Sequence, residues 1–253
     1  MIPRAESTDF VAESRLYEIE RRLYMLYGSP RHHNLPDPLD ELVFILIARQ
    51  TQETKYLRTY NRLRKEYPSW EDVLDADFDD LVQLLQDAGL ADTKAKHIQN
   101  VLTRIEEDIG QLSLSFLSQL SDENVERYLS SLPGVGRKTA LCIMMYSLNR
   151  QVFPVDTHTW RICQRLGFAP IGVQVSDSRS REIERNIPPN LRYSLHVNLI
   201  AHGRTVCTAI APSCSNCALS DLCPSAFAPP PPARRKFRVI KLDERTPQME
   251  ERA

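Results

Sequence analysis

Lys138 and Asp156 stand eighteen residues apart in the middle of this chain, each in a context that suits chemistry. Lys138 follows Leu132-Pro133-Gly134-Val135-Gly136-Arg137. Glycines two apart, Gly134 and Gly136, permit a tight turn and the close approach of another backbone. A helix starting just after them offers free N–H groups and a partial positive charge, which makes the turn an anion site. Arg137 and Lys138 then fall in the first helical turn, where the macrodipole favours acids and disfavours bases. Cations set against the local field point to a functional site. For Lys138, that field and partial burial both disfavour the ammonium, so the sequence predicts an uncharged amine able to attack an electron-poor carbon. Asp156, in Phe153-Pro154-Val155-Asp156-Thr157-His158, is placed to cap a helix over Thr157 to Leu166. A capping carboxylate is rigid enough to stabilise positive charge across a cleft. Each feature also has a plain structural reading, a helix-helix turn for the glycines and an ordinary N-cap for the acid.

A second constellation lies further on. Cys207, Cys214, Cys217 and Cys223 give C-x6-C-x2-C-x5-C within 17 residues, with Pro212 and Pro224 stiffening the loop. Without an export signal a disulfide framework is disfavoured, and four thiolates this close would bind Zn2+ or an iron–sulfur cluster. The thiol chemistry alone leaves both open. Cys142 and Cys163 fall in apolar helical stretches and are expected as buried core thiols.

The elements that must position these groups read as helices. The chain has 253 residues, 42% hydrophobic and 26% charged, with 8 glycines, a composition that disfavours a turn-rich all-β architecture. Asp37-Pro38 opens a helix over Leu39 to Gln50, Asp77 opens one closed by Gly89, and Ser121 opens the amphipathic segment that ends at Leu132-Pro133. Asn190 is expected to cap Leu191 to His202, with Gly203 at its end. About ten helices and no strand follow. Net charge is -1, yet charge is segregated: Thr54 to Lys65 carries only bases, and Glu71 to Asp80 only acids. These blocks read as solvated helix faces. No apolar run approaches the ~20 residues that span a bilayer, and the amino end has no apolar signal core, so a cytoplasmic, nucleoid-associated location with no membrane partner is expected.

The hairpin Leu132 to Ala140, the segment Val155-Asp156-Thr157-His158 and the cysteine loop together resemble the endonuclease III branch of the helix-hairpin-helix (HhH-GPD) DNA glycosylases, over about Asp37 to Pro224. The resemblance implies an all-α fold of two helical lobes with a DNA-binding cleft between them. One lobe is a six-helix barrel over residues 39–150, ending in the helix-hairpin-helix. The other joins the amino-terminal segment 1–38 to residues 151–228 and carries a [4Fe–4S] cluster on Cys207, Cys214, Cys217 and Cys223; residues 229–253 form a Pro-rich linker and basic tail. It further implies Lys138 as nucleophile and Asp156 as essential carboxylate. Gln50 fills the gap left by a flipped base, Leu90 is a wedge on the opposite strand, and Gly134, Gly136, Arg137 and His158 contact DNA.

The activity so implied is that of a bifunctional glycosylase/AP lyase of base excision repair. It removes oxidised pyrimidines from double-stranded DNA through a lysine Schiff base, as a monomer. The chain departs from the family pattern at Arg49, Glu53 and Asp92, which puts the lesion spectrum in question. Phe153 to Thr157 also resembles plant 5-methylcytosine glycosylases, so a modified cytosine or mismatched thymine or uracil is an alternative substrate. A non-catalytic DNA-binding or redox-sensing module is an alternative of another class, one that has no use for the Lys138 and Asp156 pair.

Overall fold

The computed structural model describes residues 6–31 and 33–228, with side chains from Glu13 onward. The linker and tail expected over 229–253 lie outside the described residues. Those residues form eleven α-helices and no strand: α1 (Glu6–Tyr27), α2 (Pro38–Ala48), α3 (Glu53–Glu66), α4 (Trp70–Asp75), α5 (Phe78–Leu85), α6 (Ala91–Ile109), α7 (Asp122–Ser131), α8 (Arg137–Tyr146), α9 (Thr157–Arg165), α10 (Asp177–Arg185) and α11 (Arg192–Thr205). The all-α expectation holds for them.

Local chemistry sets most of the starts. The Asp37 carboxylate accepts from the N–H groups of Leu39 and Asp40 at 2.8 and 3.0 Å, and Pro38 supplies a preset φ at the first helical position. Asp77, Ser121 and Asp156 accept in the same way at α5, α7 and α9. Two expectations fail. Asn190 caps no helix: it lies inside the short 3-10 turn Pro189–Leu191 with its amide turned to the Tyr17 hydroxyl, and α11 begins at Arg192 after Leu191 without a side-chain cap. Gly203 does not end that helix, which runs through it to Thr205. A Cβ at Gly203 would lie 2.9 Å from the His158 Cβ and 3.0 Å from Arg161 Nη2, so this glycine is there to let α9 and α11 pack closely.

Two separate hydrophobic cores organise the chain. The first, from Leu39 to Val152, is built round α2, an almost wholly apolar helix against which α3, α6 and α8 pack. The second joins Leu16, Ile19 and Leu23 of α1 to residues from Phe153 to Leu219, with α11 packed between α1 and α9. After α8 the chain crosses from one core to the other in a short extended segment. Val152, Phe153 and Val155 are buried there, and Asp156 stands at its end.

One ion cluster ties the hairpin to the second core. Arg137, 6% exposed, bonds Glu126 of α7 at 3.1 Å, Ser180 of α10 at 2.7 Å and Glu184 of α10. The other oxygen of Glu184 accepts the Phe153 N–H at 2.9 Å. A single carboxylate therefore holds both the residue before Lys138 and the segment that leads into Asp156.

Candidate active site

The turn between α7 and α8 has the geometry its glycines foretell. Gly134 sits at φ +74°, and a Cβ there would meet the His97 ring at 2.9 Å, so glycine is required twice over. A Cβ at Gly136 would meet nothing, and no side chain caps α8. The outer face of this turn presents helix N–H groups to whatever lies against it.

Arg137 does not share that outward role. It is buried in its bonds with Glu126, Ser180 and Glu184, which corrects its expected place among the DNA contacts. Its charge against the helix dipole is compensated by two carboxylates that are distant in sequence.

Lys138, the next residue, keeps solvent access. Its pKa is raised, foremost by the Cys142 sulfur one turn along α8 and further by Asp156, against desolvation and the repulsion of Arg49. Burial pushes the Cys142 thiol up as well, so Asp156 is the partner that carries charge near neutral pH. The direction is opposite to the lowering expected from burial and the helix end: Cys142 and Asp156 act on the amine against its desolvation.

Asp156 is half-buried and accepts the Thr159 N–H at 2.7 Å. Burial pushes its carboxyl up, but His196, the Thr159 N–H, Lys138 and His158 together hold it below the usual range. It is therefore ionised throughout neutral pH, and it and Lys138 each act on the other. His158 lies beside it, with Arg161 Nη2 3.2 Å from its Nδ1.

The remaining DNA candidates gather near the hairpin. Gln50 and Leu90 are exposed, each with a φ of +52° that side chains rarely adopt. Arg49 donates to the Gly134 carbonyl at 2.7 Å and to Thr139 Oγ1 at 3.0 Å, which fixes the Gln50 turn to the hairpin. The Thr51 hydroxyl lies 2.6 Å from the Ala88 carbonyl, which joins the Gln50 turn to the Leu90 turn.

Residues 43–189 match the HhH-GPD superfamily base excision DNA repair protein family. The chain belongs to this family, in its endonuclease III branch. A protein of Arabidopsis thaliana assigned as a DNA glycosylase is 36% identical over 181 residues, 71% of this chain, which spans 58% of that relative's length. Endonuclease III of Synechocystis sp. is 30% identical over 222 residues, 85% of this chain and 94% of the relative. A solved trapped endonuclease III–DNA covalent intermediate shares the fold, with a TM-score of 0.72, 24% identity and coverage of 85% of this chain and 96% of that one.

In this HhH-GPD protein the four-cysteine loop closes round a cavity of about 290 Å³, lined by Cys207, Cys214, Cys217 and Cys223. All four are free thiols with partial access to solvent. Nitrogen groups face the sulfurs: Arg165 Nη1 is 3.1 Å from Cys207 Sγ, and the Leu219 N and His202 Nε2 each 3.4 Å from Cys217 Sγ. Among the described residues no three His, Cys, Asp or Glu side chains are grouped as round a single ion. The fit to a metal group therefore rests on four thiols that line one cavity and on nitrogen groups that favour negative sulfur.

Two residues of the site escape a sequence reading. Glu41, in the apolar α2, is fully buried, with its carboxylate accepting from Asn34 Nδ2 at 2.6 Å and the Leu35 N–H at 2.8 Å. Desolvation drives its carboxyl up to about 7, and Lys138 pulls against that. Tyr146 is bonded to His196 Nε2 at 2.9 Å, and its hydroxyl is pushed well up by burial and then by Cys142 and Asp156. The one available signal is an acid and a tyrosine adjoining the apolar runs of α2 and α8.

Proposed function

We propose that this chain is a bifunctional DNA glycosylase/AP lyase of base excision repair, acting on double-stranded DNA at oxidised pyrimidines. The observation that carries this reading is the adjacency of Arg137 and Lys138. One cation is fully engaged in protein, and the next is left accessible beside an anion-binding turn and electrostatically coupled to an ionised carboxylate from the other core.

The N–H groups around Gly134 and Gly136 hold a backbone phosphate and fix register without reading sequence. The damaged nucleotide leaves the stack at a cost of a few kcal/mol, with Gln50 and Leu90 supporting the vacated duplex. Lys138 must lose a proton before it attacks, and Asp156 is assigned that proton. The amine then bonds to C1′ while the C1′–N glycosidic bond breaks, and the base leaves with the electron pair and takes up a proton. Opening of the sugar ring gives the Schiff base. Loss of the C2′ proton and cleavage of the C3′–O bond complete β-elimination and nick the strand. Asp156 passes the proton it took from Lys138 to the departing base and, ionised again, stabilises the positive charge that develops at the sugar.

Cys207, Cys214, Cys217 and Cys223 would hold the [4Fe–4S] cluster that the family implies. Such a cluster supplies a redox-active centre and braces the loop, and no step above passes through it.

The test is borohydride trapping on duplexes with an abasic site or thymine glycol. Wild-type protein is expected to cross-link and nick, Lys138→Gln to do neither, and Asp156→Asn to fall by roughly 100-fold or more. Trapping retained in Lys138→Gln refutes the assignment.

A further inference from the structure

Gln50 and Leu90 belong to turns forty residues apart in sequence that share one buried cation. Lys94 of α6 is 4% exposed. Its ammonium donates to the Ile47 carbonyl at 2.7 Å, to Thr51 Oγ1 at 2.6 Å and to the Ala88 carbonyl at 2.8 Å. These acceptors lie in the last turn of α2, one residue past Gln50, and two residues before Leu90. Three ammonium donors thus meet three acceptors, two of them carbonyls at helix or turn ends where the dipole is negative. The Thr51 hydroxyl adds a direct bridge, 2.6 Å from the Ala88 carbonyl.

What this clasp constrains is unusual. Both Gln50 and Leu90 hold φ at +52°, a conformation of a kind that persists at non-glycine positions only where the surroundings over-determine it and that clusters at functional sites. Both side chains are exposed, so neither turn is held by burying them. The buried lysine beneath supplies the constraint, and it does so for both turns at once.

We propose that Lys94 is a positioning residue that locks the Gln50 and Leu90 turns into one unit, so that both side chains enter the duplex in register. The inference rests on the reading of Gln50 and Leu90 given under the proposed function. It separates two demands on the protein. Opening a duplex needs both turns in place, whereas attack on a sugar already free of a duplex needs only Lys138 and Asp156.

The experiment therefore places the same abasic site in a duplex and in a single-stranded oligonucleotide, and measures kcat/KM for strand cleavage together with borohydride trapping. Lys94→Met is expected to lose roughly 100-fold on the duplex, the scale of a 1 Å misplacement, and to keep cleavage and trapping on the single strand near the wild-type level. Thr51→Val keeps the cation but removes one of its three acceptors together with the hydroxyl bridge; it should show the same split at about tenfold, and it carries the test if Lys94→Met does not fold. Equal losses on both substrates in a folded variant, or no loss on the duplex, overturn the proposal. Failure of the underlying reading looks different: wild-type protein then cleaves and traps neither substrate, and the proposal falls with it.

Discussion

The first turn of α8 has a protein side and an open side, and consecutive residues face them. Arg137 points inward to Glu126, Ser180 and Glu184. Lys138 stays accessible, and among the described residues it forms no ion pair within 4 Å; it interacts with the Cys142 sulfur and couples at longer range to Asp156. Both cations oppose the same helix dipole. The difference teaches that a misplaced charge by itself does not identify a reactive group; the test is whether the fold has already neutralised it. At Arg137 it has, and the product is a tie between the two cores. At Lys138 the charge is left for something outside the protein.

The largest effect that sharpens this comparison is on the protein side. Arg137→Met leaves Glu126 and Glu184 without their shared buried cation and is expected to destabilise by about 3–5 kcal/mol, measured as a fall in the chemical denaturation midpoint. A stability near wild type would break the comparison, because Arg137 would then be no more engaged than its neighbour.

A smaller effect belongs to the open side and is read through pH. Glu41 titrates near 7 in the folded protein and near 4.5 when unfolded, so the folded state binds more protons between those values. Its contribution to stability therefore falls as pH rises from about 4.5 to about 7, by at most about 3.4 kcal/mol. Thermal melts of wild type and Glu41→Gln across that window should show the wild type losing ground to the variant as pH rises. Parallel curves would show that Glu41 is not held near neutrality.

The comparison also explains what the sequence could reveal. Asp37, Asp77, Ser121 and Asp156 were legible as caps because a cap is a contact between near neighbours in the chain. The hairpin was legible for the same reason, since Gly134 and Gly136 answer to local backbone geometry. Gly203 was misread because its reason is a contact with His158 and Arg161 on another helix. Arg137 was assigned outward because Glu184 lies 47 residues away, and Asp156, one of the groups acting on Lys138, comes from across the boundary between cores. Lys94 sits in the apolar stripe Ala91, Ala95, Ile98 and Val101 of α6. That periodicity marks the face it occupies, but the three acceptors that receive its protons come from two other turns and exist only in the fold.

The central claim is that the Lys138 amine bonds to the sugar. Peptide mass spectrometry of the borohydride-trapped protein–DNA adduct tests it most directly. The account predicts the deoxyribose remnant on the peptide that contains Lys138, and on that residue within it. A remnant on Lys94, another lysine or the amino terminus, or a nicked product with no trapped adduct, would contradict it.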